Sequence, residues 1–163
     1  MLGIDPGLAV TGYGIVDGDG VVTEPVAAGV LRTRAKNSRA KRLADLFERI
    51  GALIDEHHPD DVAIEQHFVA ENVRSAMVIG EARAAAMLAA ATRGIDVLEY
   101  PATTIKQTVA GYGAASKEQV QRMVVMHLGL STPPTPLDAS DALAVALTRL
   151  AALRFEAMLA ART

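Results

Sequence analysis

The order of the apolar segments limits the possible folds of this chain more than any other feature of the sequence. Residues 1–31 contain three strand-like stretches, 2–5, 11–16 and 21–30, which only glycine-containing turns separate. This pattern predicts an antiparallel meander. After residue 38 helical and strand-like patterns alternate, and because parallel strands need long crossover connections, this part predicts parallel strands joined by helices.

The later elements follow from the spacing of apolar residues. Ala40, Leu43, Phe47, Ile50 and Ile54 recur every three to four positions, which predicts an amphipathic helix that ends before Asp60-Asp61. The remaining predicted elements are a strand at 62–64, a helix at 72–93 capped by Gly94, a strand at 95–100, helices at 102–110 and 117–128, and a long helix at 138–159. The sequence therefore predicts an α/β fold, with a mixed five-stranded sheet flanked by helices.

Composition limits the class of protein. A chain of 163 residues, half of them hydrophobic, is long enough for one core, so we expect a single domain over residues 1–163. The absence of cysteine excludes disulfides and Cys-type zinc sites. No basic and apolar leader pattern opens the sequence, and Arg83 and Arg93 interrupt its alanine-rich stretch. We expect a cytoplasmic protein that does not enter a membrane.

The charge is unevenly distributed. A net charge of −3 argues by itself against nucleic acid as a partner, because DNA affinity comes largely from cations that contact phosphates. However, 6 of the 16 basic residues fall in a stretch that contains no acid: Arg32, Arg34, Lys36, Arg39, Lys41 and Arg42. This stretch is either a solvated loop and helix start or a local site for a polyanion.

Four acidic residues stand in otherwise apolar surroundings. Asp5 ends the first apolar run directly before Pro6-Gly7, and Glu65 ends the run at 62–64 in the same way. Asp138 and Asp141 lie three residues apart at the start of a helix, so their side chains project from one face. Neighbouring carboxylates need a cation to stay ionised, and hard oxygen ligands select Mg²⁺ or Mn²⁺.

Each of these acids also has an ordinary structural explanation. Asp138 and Asp141 are suited to be a helix N-cap and a first-turn acid. Asp5 before Pro-Gly is typical of a turn, and Glu65 is typical of an exposed strand end. The four together, two ending buried strands and two sharing a helix face, favour a metal site.

Several motifs resemble those of a known family. They are Gly3-Ile4-Asp5-Pro6-Gly7, Thr11-Gly12-Tyr13-Gly14, Ala63-Ile64-Glu65-Gln66 leading to Phe68, Lys106-Gln107-Thr108-Val109, Gly111-Tyr112-Gly113-Ala114, Lys117-Glu118-Gln119-Val120, and Asp138-Ala139-Ser140-Asp141-Ala142-Leu143-Ala144. In order and spacing they resemble the RuvC family of crossover junction endodeoxyribonucleases over almost the whole chain. The first motif alone is less specific, because actin-like ATPases and sugar kinases carry a similar loop.

The resemblance implies a fold and an activity. It implies an RNase H-like fold and a homodimer that resolves Holliday junctions by paired symmetric nicks, leaving 5′-phosphate and 3′-hydroxyl ends. It also implies that Asp5, Glu65, Asp138 and Asp141 hold two Mg²⁺ ions, for which Mn²⁺ could substitute. The RuvA–RuvB branch-migration complex is the implied partner.

Further residues match positions that the family uses. Lys106 and Lys117 match lysines near the scissile phosphate, although each is otherwise an ordinary solvated helix lysine. Phe68 matches an aromatic residue that stacks near the junction centre, and a Phe after a strand is more often a core residue. Arg74 and Ser75, at the start of the next helix, are candidates for contact with the DNA backbone. That helix, 72–93 with Gly80, is the candidate dimer contact or simply packs on the sheet.

Two other functions share some of these features. A fragment of an actin-like phosphotransferase would explain the Asp-Pro-Gly loop, but this class needs a second lobe that 163 residues cannot supply. A junction-binding module without activity would share the basic stretch, but it would not need four acids in apolar surroundings. Both interpretations are less consistent with the sequence than a metal-dependent nuclease.

Overall fold

The computed structural model describes residues 1–19, 21–66 and 73–161. The strands are β1 Leu2–Asp5, β2 Val10–Gly18, β3 Thr23–Arg32, β4 Asp61–Gln66 and β5 Asp96–Pro101. The helices are α1 Arg39–His57, α2 Val73–Ala91, α3 Ala102–Ala110, α4 Lys117–His127 and α5 Leu137–Ala160. None of these helices is long and apolar enough to span a membrane.

The strands form one mixed sheet in the order β3-β2-β1-β4-β5. β1, β2 and β3 pair antiparallel, as the meander predicts. β4 pairs parallel with β1, and β5 pairs parallel with β4, each reached through a helical crossover. The predicted mixed five-stranded sheet is confirmed.

Helices cover both faces of this sheet. Because side chains alternate along a strand, Leu2 and Ile4 point to one face of β1, and Gly3 and Asp5 point to the other. Leu2 and Ile4 join a core cluster with residues of α1 and α2. A second cluster combines residues of α3, α4 and α5 with the opposite face of the sheet, including Ala63. We refer to these as the α1–α2 face and the α5 face.

Three glycines let α5 lie directly against the sheet. A Cβ atom at Gly3 would lie 2.2 Å from the carbonyl oxygen of Ala142, and one at Gly14 would lie 2.6 Å from the backbone nitrogen of Leu143. At Gly12 the corresponding distance, to the carbonyl oxygen of Asp138, is 2.0 Å. No other residue type fits these positions without moving the helix, so the glycines of β1 and β2 determine the height of α5 above the sheet.

Some predicted boundaries are wrong, for local reasons. α1 ends at His57, before Asp60-Asp61 as predicted, because His58 adopts a left-handed conformation with φ 45°. β4 starts at Asp61, one residue before the predicted strand at 62–64. β3 starts at Thr23, since the Asp19 carboxylate accepts hydrogen bonds from the backbone N–H groups of Val21 and Val22 and holds them in the turn.

Candidate active site

Asp5 and Glu65 lie side by side at one edge of the sheet. The parallel register pairs Gly3 with Ala63 and Ile4 with Ile64, so the next residues of β1 and β4 are these two acids. Both continue the face of Gly3 and Ala63, which is the α5 face. Two acids that are 60 positions apart in sequence are therefore directed to the same side of the sheet at the same strand end.

The first turn of α5 passes over this strand end. Asp5 pairs with Gly12 across β1 and β2, and the Asp138 backbone packs on Gly12. Asp138 is the second residue of α5 and Pro136 is its N-cap, so the interpretation of Asp138 as an N-cap residue is wrong. The glycine at position 12 thus brings the start of α5, with Asp138 and Asp141, next to β1.

Two lysines complete a cleft with these acids. Glu65, Asp141, Lys106 and Lys117 line it together with the apolar side of α3, α4 and α5. Lys117 is the first residue of α4, which begins in a capping box formed by Ser116 and Gln119. The Lys117 Nζ donates a hydrogen bond of 2.5 Å to Asp141 Oδ2. The two lysines from α3 and α4 therefore face the carboxylates that the sequence grouped with them.

Electrostatics couples these groups. The pKa of the Glu65 carboxyl is raised, mainly by burial and further by the negative charge of Asp141. The positive charges of Lys117 and Lys106 offset a part of this increase. Burial alone would lower the pKa of Lys117, but the hydrogen bond to Asp141 and the charges of Asp141, Asp5 and Glu65 raise it above its ordinary value. Asp5, Glu65 and Asp141 are thus close enough to act on the same ammonium group.

These residues fit a hard divalent cation. Within residues 1–19, 21–66 and 73–161, no three Asp, Glu, His or Cys side chains yet converge on a common ion position. The donors near this point are nevertheless all carboxylate oxygens, and the neighbouring Asp141 charge disfavours ionised Glu65. A cation would favour the ionised form of both acids, and oxygen ligands select Mg²⁺, Mn²⁺ or Ca²⁺ over softer metals. The assignment of Asp5, Glu65, Asp138 and Asp141 as ligands stays a prediction.

Two of the three candidate DNA-binding residues, Arg74 and Ser75, lie at the same edge of the sheet. Arg74 and Ser75, both exposed at the start of the described part of α2, line an open groove with the turn at 7–10, which follows Asp5. Phe68 lies outside the described residues. A contact of Arg74 and Ser75 with DNA therefore stays a prediction that their position beside the turn after Asp5 supports.

Sequence reasoning missed two features that hold the site. The three glycines appeared only as parts of motifs, although Gly12 and Gly14 at alternate positions of one strand, with Gly3 paired beside Gly14, indicate a helix packed closely on the sheet. Thr11 is buried, and its hydroxyl donates to the Gly7 carbonyl oxygen at 2.7 Å, which closes the turn behind Asp5. A polar residue between apolar ones at the start of a strand is the signal that could have indicated this role.

A mixed sheet in this strand order, with acids at its central strand ends and a helix laid across them, defines an RNase H-like fold. The family model for crossover junction endodeoxyribonuclease RuvC matches residues 1–149. A relative of that name from Natranaerobius thermophilus is 45% identical over 98% of this chain and 99% of its own length. One from Chloroflexus aggregans is 48% identical over 90% of this chain and 89% of its own.

A solved structure agrees with these relatives. Thermus thermophilus RuvC, in complex with Holliday junction substrate, matches with a TM-score of 0.90 at 33% identity, covering 95% of this chain and 94% of that one. The chain belongs to the RuvC family of crossover junction endodeoxyribonucleases.

Proposed function

We propose that this protein resolves four-way DNA junctions by metal-dependent phosphodiester hydrolysis, in DNA recombination and repair. The observation that carries the proposal is the cleft in which Glu65, Asp141, Lys106 and Lys117 meet beside Asp5. Its relatives are named as junction endonucleases, and the nucleases of this family depend on a metal ion. Membership of this family, with the acids brought together, argues against both the phosphotransferase fragment and the non-catalytic module.

Asp5, Glu65, Asp138 and Asp141 would hold the metal, which we propose to be a pair of Mg²⁺ ions that Mn²⁺ can replace. When bound, two such ions lower the pKa of the attacking water and compensate the charge on the leaving 3′-oxygen. The chain's own contribution is to hold the carboxylates at one height above the sheet, because α5 lies directly on Gly12. Water attack breaks the bond from phosphorus to the 3′-oxygen and leaves 5′-phosphate and 3′-hydroxyl ends.

Lys117 and Lys106 act on the phosphate. Each carries a positive charge on a helix that lines the cleft, and Lys117 is held by Asp141 at 2.5 Å. A fixed ammonium group stabilises the negative charge that grows on the phosphate oxygens as the bond breaks. The reaction therefore depends on Lys117 through its charge and through its effect on Asp141.

We also propose that the active species is a homodimer that pairs through α2. The buried side of α2 consists of alanines that pack in the core with α1, so it is occupied. On its other side an apolar stripe recurs at helical spacing: Val73, Met77, Gly80, Ala84, Leu88 and Ala91. Val73, Met77 and Leu88 are 57–65% exposed, and nothing lies within 4 Å of where a Cβ at Gly80 would be. Two such helices related by a twofold axis would bury both stripes and place one site in each half of the junction.

The partner and the location remain expectations of the same proposal. Resolution follows branch migration, so the RuvA–RuvB complex is the proposed partner, and the cytoplasm, where the DNA lies, is the proposed location. The absence of cysteine agrees with a reducing compartment.

The test is a cleavage assay on a mobile four-way junction and on linear duplex of the same sequence. Cleavage of the junction alone, with Mg²⁺ or Mn²⁺ and not in EDTA, is the expected result. Calcium should support binding with little cleavage, because its larger and looser coordination shell misplaces the reacting groups. If the protein bound the junction but did not cleave it in any of these metals, it would be a non-catalytic junction-binding module. If cleavage in EDTA equalled cleavage in Mg²⁺, the metal mechanism would be excluded.

A further inference from the structure

The basic segment, residues 32–42, lies at the same edge of the sheet as the carboxylates. Arg32 ends β3 and pairs with Val10, the first residue of β2. Asp5 ends β1, which is the next strand beyond β2. With strands about 4.8 Å apart, the segment starts about 10 Å to the side of the active site. The segment is therefore close to the site but not part of it.

Hydrogen bonds fix the basic segment to the turn that follows Asp5. The Thr33 hydroxyl donates to the Leu8 carbonyl oxygen at 2.5 Å, and the Thr33 backbone N–H donates to the Ala9 carbonyl oxygen. Arg42 donates from Nε to the Thr33 hydroxyl at 2.8 Å and from Nη2 to the Leu8 carbonyl oxygen at 3.2 Å. The two ends of the segment are thus tied to the active-site turn, which brings a ligand bound on the segment near that turn.

Most cations of the basic segment have no acidic partner. Arg39 forms an ion pair with Glu81, and the guanidinium of Arg42 contacts neutral oxygens. In the ranges 1–19, 21–66 and 73–161 no ion pair involves the other four, all of which are exposed: Arg32, Arg34, Lys36 and Lys41. Four exposed and unneutralised cations within ten positions attract a polyanion, in a protein whose net charge is −3.

The start of α1 adds to this positive potential at a cost to stability. Ser38 caps the helix by accepting from the Lys41 backbone N–H, and its first turn contains no acid but holds Arg39 and Lys41. The N-terminus of a helix carries a partial positive charge, so cations there are unfavourable. A local arrangement that reduces stability is expected where a function requires it.

We propose that the basic segment binds backbone phosphates of the duplex arm that leads away from the cleaved phosphate. This inference rests on the proposed function. One DNA strand rises 3.4 Å per nucleotide, so the distance of about 10 Å to the start of the segment corresponds to about three nucleotides. The segment itself extends further from the site, so the contacted phosphates would lie about three to six positions from the cut. These contacts would hold the arm in place without taking part in hydrolysis.

Charge removal in the segment tests this proposal. Lys41→Gln, and the triple variant Arg34→Gln/Lys36→Gln/Lys41→Gln, are compared with Arg154→Gln, which removes an exposed cation from the far half of α5. Junction affinity is measured in Ca²⁺ against salt concentration. The slope of log affinity against log salt concentration should become shallower by about 0.9 for Lys41→Gln and by about two to three for the triple variant. For Arg154→Gln this slope should not change.

Three further readouts separate this role from others. At saturating protein in Mg²⁺ the triple variant should cleave within about twofold of the parent, because its contacts are remote from the reacting atoms. Lys41→Gln should not lower the melting temperature, since it removes a cation from a helix N-terminus. Neutral methylphosphonates three to six positions from the cut should weaken binding by the parent but not by the triple variant.

The proposal would be overturned if the triple variant kept the salt dependence of the parent, or if methylphosphonates weakened binding equally in the parent and in the triple variant. The ligand of the segment would then be an acidic protein surface. Failure of the parent to cleave junctions would instead overturn the proposed function. The binding measurements in Ca²⁺ would still decide the role of the segment, so the two failures are distinguishable.

Discussion

The two faces of the sheet are packed in opposite ways. On the α5 face, glycines of β1 and β2 touch the backbone of α5, and a Cβ at Gly12 would lie 2.0 Å from a carbonyl oxygen. On the α1–α2 face, alanines of α2 meet larger residues of the core, and no atom lies within 4 Å of a Cβ at Gly80. Glycine thus brings two elements together on the α5 face, whereas Gly80 lies on the outer side of α2 and faces open space.

This difference assigns the positioning of the carboxylates to the α5 face, and the contacts with a second subunit and with DNA to the other face. The α5 face leaves no room for a side chain between the glycines and the backbone of α5, and it carries the carboxylates. The α1–α2 face ends in an exposed apolar stripe and in the basic segment, which suit a second subunit and DNA. Substitutions on the α5 face should therefore affect the rate of cleavage, and those on the other face should affect binding and assembly.

Among the substitutions that test the difference between the two faces, Gly12→Ala should have the largest effect. The added methyl group would push against the Asp138 backbone, so α5 must move and the acids separate. We expect a loss of cleavage of about a hundredfold, since displacements of about 1 Å have this effect, and a loss of about 1–3 kcal/mol in the free energy of unfolding. The matched control is Gly80→Ala, which meets open space in a helix and should raise subunit stability by about 0.5–1 kcal/mol. Single-turnover cleavage and thermal unfolding measure both.

Lys117→Ala should have the next largest effect. It removes the ammonium group 2.5 Å from Asp141, so the cleavage rate of bound junction should fall by about ten- to a hundredfold with little change in affinity. Lys106→Ala should follow the same pattern, and Arg122→Ala, at an exposed position of α4, should change neither quantity. A loss confined to the dissociation constant would make the two lysines ordinary phosphate contacts.

Met77→Glu should break the dimer. A charge within the α2 stripe would be buried without a partner in the dimer, so the dissociation constant of the dimer should rise by about tenfold or more in sedimentation experiments. Phe155→Glu is the control, because Phe155 on α5 is 61% exposed, as Met77 is. When the Met77 variant acts on a supercoiled plasmid that carries an extruded cruciform, the expected product is a singly nicked circle. A dimer that survives this substitution would exclude α2 as the interface.

The smallest effect is expected where α1 meets the end of α2. Arg93 binds Asp55 through two hydrogen bonds of 2.6 and 2.8 Å, and its guanidinium packs on Gly51. The hydrogen bond to Arg93 lowers the pKa of the Asp55 carboxyl, so its contribution to stability is present above the ordinary carboxyl pKa and is lost as the pH falls through the lowered value. Asp55→Asn should therefore be slightly less stable than the parent at neutral pH. The difference should vanish in strong acid, and a difference independent of pH would mean that the ion pair is not its cause.

Much of this arrangement follows from the sequence, and the exceptions have physical causes. Asp5 and Glu65 could be placed together because each ends an apolar strand, and parallel strands end at one edge. The Lys117–Asp141 pair could not, because 24 positions of helix and loop separate them and only the packing of α4 on α5 determines their distance. The start of β3 was misplaced because the Asp19 carboxylate accepts hydrogen bonds from the backbone N–H groups of Val21 and Val22 and holds them in the turn. The single domain and the cytoplasmic location stay predictions.

The central claim is that the acids brought under α5 perform the cleavage, and Glu65→Gln tests it most directly. The substitution keeps the volume of the side chain and removes one charge from the end of β4. With Mg²⁺ at saturating protein, cleavage of a four-way junction should fall by at least about a hundredfold, whereas junction affinity in Ca²⁺ should stay within about threefold of the parent. Cleavage near the parental rate in Mg²⁺, with the fold intact, would contradict the account.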